Sequence, residues 1–158
     1  MLVSVVVLGA AALAAVFLAH TRPSPAQAGT ARRRAARALA LAVGVQSVHF
    51  AEEAATGFHH RFPALFGLPD LPFPFFMAFN LAWIAIWIAS IPGLVSGRSA
   101  AFFAAWFLAI AGMMNGVAHP LMAVVAQDYF PGLGSAVFMG TAGALLWTRL
   151  RHATAETM

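Results

Sequence analysis

The chain has 158 residues, 61% of them apolar and only 9% charged, with nine basic and five acidic side chains. An ordinary soluble domain carries about 25% charge, so these few charges cannot coat a globule of this size and a water-soluble enzyme is excluded. Mean hydropathy is +0.82, which places the chain among integral membrane proteins of one domain.

The absence of cysteine rules out disulfides, thiolate zinc sites and iron–sulfur clusters. All nine basic residues are Arg. They lie between apolar runs, so a high isoelectric point here encodes membrane topology and not nucleic-acid binding.

At about 20 residues per span, five runs qualify as transmembrane helices: Leu2–Ala19, Ala36–Thr56, Phe75–Val95, Ala100–Ala126 and Gly132–Trp147. None shows the period-2 alternation of a barrel strand. The expected fold is an all-α membrane bundle: a first helix over 1–20, an Arg-rich cytoplasmic linker over 21–35, a membrane domain over 36–148 and a cytoplasmic tail over 149–158. Ala26-Gln27-Ala28 resembles a signal-peptidase site. A cleaved leader is nevertheless disfavoured, because the start lacks positive charge and cleavage would force the Arg32–Arg34 block across the membrane.

The first loop contains Arg22, Arg32, Arg33, Arg34 and Arg37, the third contains Arg98, and the tail contains Arg149 and Arg151. Only Arg61 lies in a loop on the other side. The positive-inside rule then predicts an outside N-terminus and an inside C-terminus, in a bacterial inner membrane.

The second span carries polar residues that lipid does not tolerate: Gln46, Ser47, His49, Glu52, Glu53 and Thr56. At 100° per residue, Glu52 falls about 60° to one side of His49 and Glu53 about 40° to the other. An ionised acid at the bilayer centre costs about 2.5–3.5 kcal/mol, and no Lys or membrane-embedded Arg is present to offset it. A proton or a metal ion must do so.

The fourth span offers Asn115 and His119, one helical turn apart. Gly112 and Gly116 there form a GxxxG pattern suited to close helix approach, and Pro120 leaves the Gly116 carbonyl without its helical donor. Gly132, Ala136, Gly140 and Ala144 make a second small-residue stripe in the fifth span. Depth aligns the polar groups: His49 lies about 20 Å above Ala36, and Asn115 about 22 Å above Ala100. Asn80, about 8 Å below Phe75, falls in the same outer layer. His59 and His60 read as a solvated outer loop.

His49-Phe50-Ala51-Glu52-Glu53 resembles the signature of the HXXEE-motif membrane proteins, a bacterial family. A second pattern of that family has Asn, three residues, His, nine residues, then Tyr-x-Pro-Gly-x-x-Thr. Asn115, His119, Tyr129, Pro131, Gly132 and Ser135 stand at those spacings, with Ser135 keeping the hydroxyl. The match covers residues 46–135. The resemblance implies a multi-pass membrane protein and no particular reaction.

From the residues themselves, His49, His119 and one of Glu52 or Glu53 could form a divalent metal site, for zinc, iron or manganese. Glu53 is the acid assigned as ligand. Glu52 or Glu53 would serve as base, with Asn115 or Tyr129 stabilising an oxyanion. That chemistry is hydrolysis of a lipid-like, amphipathic substrate. Two alternatives stand beside it: proton or ion translocation or ligand binding through the Glu/His cluster, and a purely structural polar network locking two helices together.

Overall fold

The computed structural model describes residues 2–154. These residues form six helices and no strand: α1 (Leu2–Thr21), α2 (Gly29–Thr56), α3 (Phe58–Ala64), α4 (Phe73–Val95), α5 (Ser99–Ala126) and α6 (Leu133–Ala153). The sequence-assigned tail residue Glu156 lies outside them. Each of the five apolar runs is a helix. α4 and α5 are long and apolar enough to cross a membrane.

Three boundaries differ from the sequence reading. α2 begins at Gly29, seven residues before Ala36. Ala and Arg are both strong helix formers, so the stretch read as a linker by its charge is helical by its propensity. It buries Ala35, Ala36 and Leu39 while Arg33, Arg34 and Arg37 face outward. At the other end, α6 runs on through Arg149 and Arg151 to Ala153, so these residues extend the helix instead of forming a tail. The short helix α3 was not anticipated. It starts after Gly57, whose left-handed backbone (φ 81°) ends α2 and sends its N–H back to the Glu53 carbonyl.

α5 is the central element. It packs against α6 and α4 and also receives α1, while α2 lies against α6 and α4. The core is built largely from Ala, with Leu39, Leu94, Trp106, Leu108, Met139 and Leu146 filling the larger spaces. The two small-residue stripes meet each other. A Cβ added at Gly116 would stand 2.7 Å from the Gly140 Cα, and one at Gly143 would stand 2.8 Å from the Ala109 carbonyl oxygen. Backbone, and not a flexible side chain, forms that contact, so it cannot yield. We expect Gly116→Leu to lower the thermal unfolding temperature sharply in detergent, with a destabilisation of about 3 kcal/mol or more. An unchanged melting curve would disprove backbone contact at this crossing.

The two ends of the bundle differ in charge. At one end, Arg22 Nε donates to Thr154 Oγ1 (3.3 Å) and Ser24 Oγ to the Ala153 carbonyl (2.7 Å). The Arg32 guanidinium lies so close to Gly97 that a Cβ there would be 2.7 Å from Nη1. This joins the α1–α2 connection, the α4–α5 turn and the end of α6, and with them every Arg except Arg61. At the opposite end, Arg61 donates to Asp128 across 2.9 Å. That hydrogen bond, with one from the Tyr129 amide, holds the Asp128 carboxyl below its usual 3.8. A depressed folded-state value means the pair's contribution is present above about pH 3.8 and is lost as pH falls below it. An NMR titration of Asp128 in Arg61→Gln is expected to move its midpoint upward.

Candidate metal centre

His49 and Glu53 stand one turn apart on α2, and α5 brings His119 to them. All three are buried, with side-chain exposures of 0%, 8% and 1%. Glu53 Oε1 lies 3.6 Å from His49 Nε2 and 3.4 Å from His119 Nε2. One ligand atom from each residue can be chosen so that all lie within 4.8 Å of one another. The rings stand edge-on, with centroids 4.7 Å apart. This is inside the separation at which two histidines can share one ion.

The hydrogen bonds around the trio determine where its protons sit. His119 Nδ1 is 2.6 Å from the Pro131 carbonyl oxygen, which can only accept, so Nδ1 carries the hydrogen. His49 Nδ1 is 2.8 Å from Ser135 Oγ, whose own hydrogen is directed to Glu52 Oε2. Ser135 Oγ therefore accepts from His49 Nδ1–H. In both rings Nδ1 is engaged away from the trio, and both Nε2 atoms face the Glu53 carboxyl group. His49 Nε2 has no hydrogen-bond partner at all. Three possible ligand atoms, one from each residue, converge on one point. Distances of 3.4–3.6 Å are too long for good hydrogen bonds. These two edges are close to the roughly 3.4 Å that two ligands make around a tetrahedral ion with bonds near 2.1 Å, and the imidazole–imidazole edge lies within 4.8 Å. Imidazoles fixed through Nδ1–H to an outer acceptor are the usual arrangement of metal-ligating histidine.

Glu52, next in sequence to Glu53, points elsewhere, because adjacent residues diverge by 100° around a helix. Its carboxylate accepts from the Gly134 amide (2.8 Å), the Ser135 amide (2.8 Å), the Ser135 hydroxyl and the Tyr129 hydroxyl. α6 has no side-chain cap of its own. Glu52 supplies one from α2, satisfying amides that the first turn leaves open and placing negative charge at the positive end of the helix dipole. Burial and then the bond to Glu52 push the Tyr129 hydroxyl above its usual 10.

The segment from Tyr129 to Ser135 thus wraps the trio. Gly132, at φ 85°, rests on both imidazoles: a Cβ there would lie 2.6 Å from His119 Cε1 and 2.9 Å from His49 Cε1. Only glycine satisfies both the backbone conformation and the space. Phe58 of α3 covers the site, its ring 5.7 Å from that of His119 and 6.1 Å from that of Phe130. Replacing Gly132 with Val is expected to displace both rings and weaken metal binding by about tenfold or more, as read by equilibrium dialysis. Binding equal to that of the unaltered protein would refute the contact.

Of the residues singled out by sequence, His49, Glu53 and His119 are brought together, and Glu52 and Tyr129 meet beside them. Asn115 is half-buried and has no side-chain hydrogen bond to another described residue. Asn80 does not join the layer and bonds back to the Phe76 carbonyl of its own helix (2.9 Å). His60 pairs with Asp70 on the exposed surface (2.6 Å). Sequence reasoning missed the tasks of the Pro131 carbonyl, Gly132 and the Ser135 hydroxyl. Their spacing relative to His119 was visible, but the contacts join α2, α5 and α6. No protein-family model, curated protein or solved structure matches this chain.

Proposed function

We propose that this protein is a multi-pass membrane protein that holds one divalent transition metal ion on His49, Glu53 and His119. The observation that carries the reading is the burial of two imidazoles and a carboxyl group with one ligand atom from each within 4.8 Å of the others, while both Nδ1 atoms are held by groups outside the trio. Two imidazoles and a carboxylate suit zinc, iron or manganese, and they leave coordination positions open.

Hydrolysis of an amphipathic substrate is the reaction class we assign. An ion held by these residues would supply Lewis acidity and make water a stronger acid. The chain's own residues do the rest. Glu53 is the anionic ligand. Glu52 is a positioning residue that anchors Tyr129, Gly134 and Ser135, and through Ser135 orients His49. Tyr129, 43% exposed, presents the polar edge of the site. Asn115 has no other hydrogen-bonding task and is assigned to substrate contact.

Five spans, with the Arg-rich end cytoplasmic and the metal site near the outer face of an inner membrane, fit the outward-facing apolar side chains. Val48, Phe75, Ile88, Val124 and Phe138 are all exposed and need a lipid environment. Membership of the HXXEE-motif family is part of the proposal, since most residues of its two patterns have a task at this site. Toward the Arg-rich end the helices pack through Leu39, Val43, Ala105 and Leu108. That apolar seal favours a closed site over an ion path.

Metal analysis of untagged protein, purified without chelator, tests the reading. We expect close to one zinc, iron or manganese per chain. Protein that binds none of the three after reconstitution would overturn it.

A further inference from the structure

The face of α2 against α6 carries a groove that the metal site does not use. Near the Arg-rich end is a cleft of about 480 Å³ lined by Arg34, Arg37 and Arg149 above Ala38, Leu41 and Leu145. A second cleft of about 440 Å³ shares Leu41 with the first and continues past Gly44 and Val48 to Phe138 and Ser135. The two are open depressions that adjoin at Leu41, one lined by Arg and the other almost wholly apolar.

Its chemistry is that of a headgroup and a chain. Arg34, Arg37 and Arg149 have no ion pair or side-chain hydrogen bond with any described residue. The described carboxylates, Glu52, Glu53, Asp70 and Asp128, are all at the opposite end of the bundle. Three Arg lining one depression without a counter-ion among the described residues suit an anion, and their planar forks match phosphate oxygens. Below them Leu41, Val48 and Phe138 are 53%, 64% and 67% exposed. Gly44 opens the floor, because a Cβ there would meet nothing within 4 Å. From Arg37 to Val48 the helix rises about 16 Å, about half of a ~30 Å hydrocarbon core. That is the depth of one leaflet.

We propose that the α2–α6 groove binds an anionic phospholipid of the cytoplasmic leaflet, its phosphate held by Arg34, Arg37 and Arg149 and one acyl chain lying over Gly44 toward Phe138. Basic pockets between helices at the cytoplasmic side bind anionic headgroups in this way. The inference rests on the membrane orientation proposed above and is independent of the metal.

The test uses full-length, delipidated protein in a neutral detergent. Phosphatidylglycerol, phosphatidylcholine and free glycerol phosphate are titrated separately, with bound molecules counted by native mass spectrometry. Phosphatidylglycerol should bind at least tenfold more tightly than either of the others. Arg37→Gln with Arg149→Gln should remove about tenfold or more of that affinity. Gly44→Leu, at a position where an added Cβ meets nothing within 4 Å, should weaken phosphatidylglycerol binding while leaving the unfolding temperature without lipid unchanged. Equal binding of the two lipids, or a double Arg variant that binds like the unaltered protein, would overturn the proposal. Free glycerol phosphate matching the lipid would reduce it to an anion site and overturn the chain's part. Metal content measured on the same samples separates the readings: lipid selectivity without metal would sink the metal centre alone.

Discussion

His49→Ala, His119→Ala and Glu53→Gln are each expected to lower metal affinity by at least about 100-fold, more than the 10–100-fold typical of outer-shell changes. Each removes one of three protein ligands from a buried site, and no fourth His, Asp or Glu among the described residues belongs to that cluster. The three variants should differ in stability when metal-free. Glu53→Gln replaces a buried acid with a neutral amide of nearly the same shape, so the apo protein should be as stable as its parent or more so. His119→Ala also leaves the Pro131 carbonyl without its donor and opens a cavity beside Phe58 and Phe130. Metal analysis paired with thermal unfolding checks both expectations. Full metal occupancy in any of the three would remove that residue from the ligand set.

Glu52→Ala has the second large effect, and it acts on the fold as well as the site. The substitution takes the acceptor from two amides at the start of α6 and from the Tyr129 and Ser135 hydroxyls. Losing a helix cap and charge-assisted hydrogen bonds is expected to destabilise the protein by about 2 kcal/mol. Ser135 then loses the group that directs its hydroxyl hydrogen, so His49 Nδ1 no longer has an assured acceptor, and metal affinity should fall by about 10–100-fold. Glu52→Gln does not rescue it, because the amide's own N–H groups oppose the Gly134 and Ser135 donors. A general base would behave differently: Glu52→Gln would abolish turnover while metal affinity and melting temperature stayed put. Unchanged affinity and melting temperature in both variants would refute the positioning role.

Much of this architecture is legible in the chain, for identifiable reasons. Each long apolar run forms a helix, which satisfies its own backbone hydrogen bonds. His49 and Glu53 share a face by periodicity alone. The depth arithmetic put His119 level with them because a helix rise is constant. The elements that escaped were those where two signals compete. The Arg32–Arg37 stretch looks like a loop by charge and is a helix by propensity. Residues Phe58–Ala64, with two histidines and a proline, look like loop and form one short helix over the site.

The chain alone carries an inventory: five helical runs, of which α4 and α5 are long and apolar enough to cross a membrane, all Arg but one at one end, and two acids with two histidines placed at one level. Only tertiary structure decided how that inventory is divided. Gly112 and Gly116 announced a close partner, and the fold made it the small-residue stripe of α6. Glu52 and Glu53 are equivalent as neighbouring letters, yet they differ by 100° in direction. One turns to the amides of α6 and the other to two imidazoles. Directions around a helix are relative until a second helix defines what they face. The separate roles of these two acids therefore arise from packing between helices, beyond what either segment encodes alone.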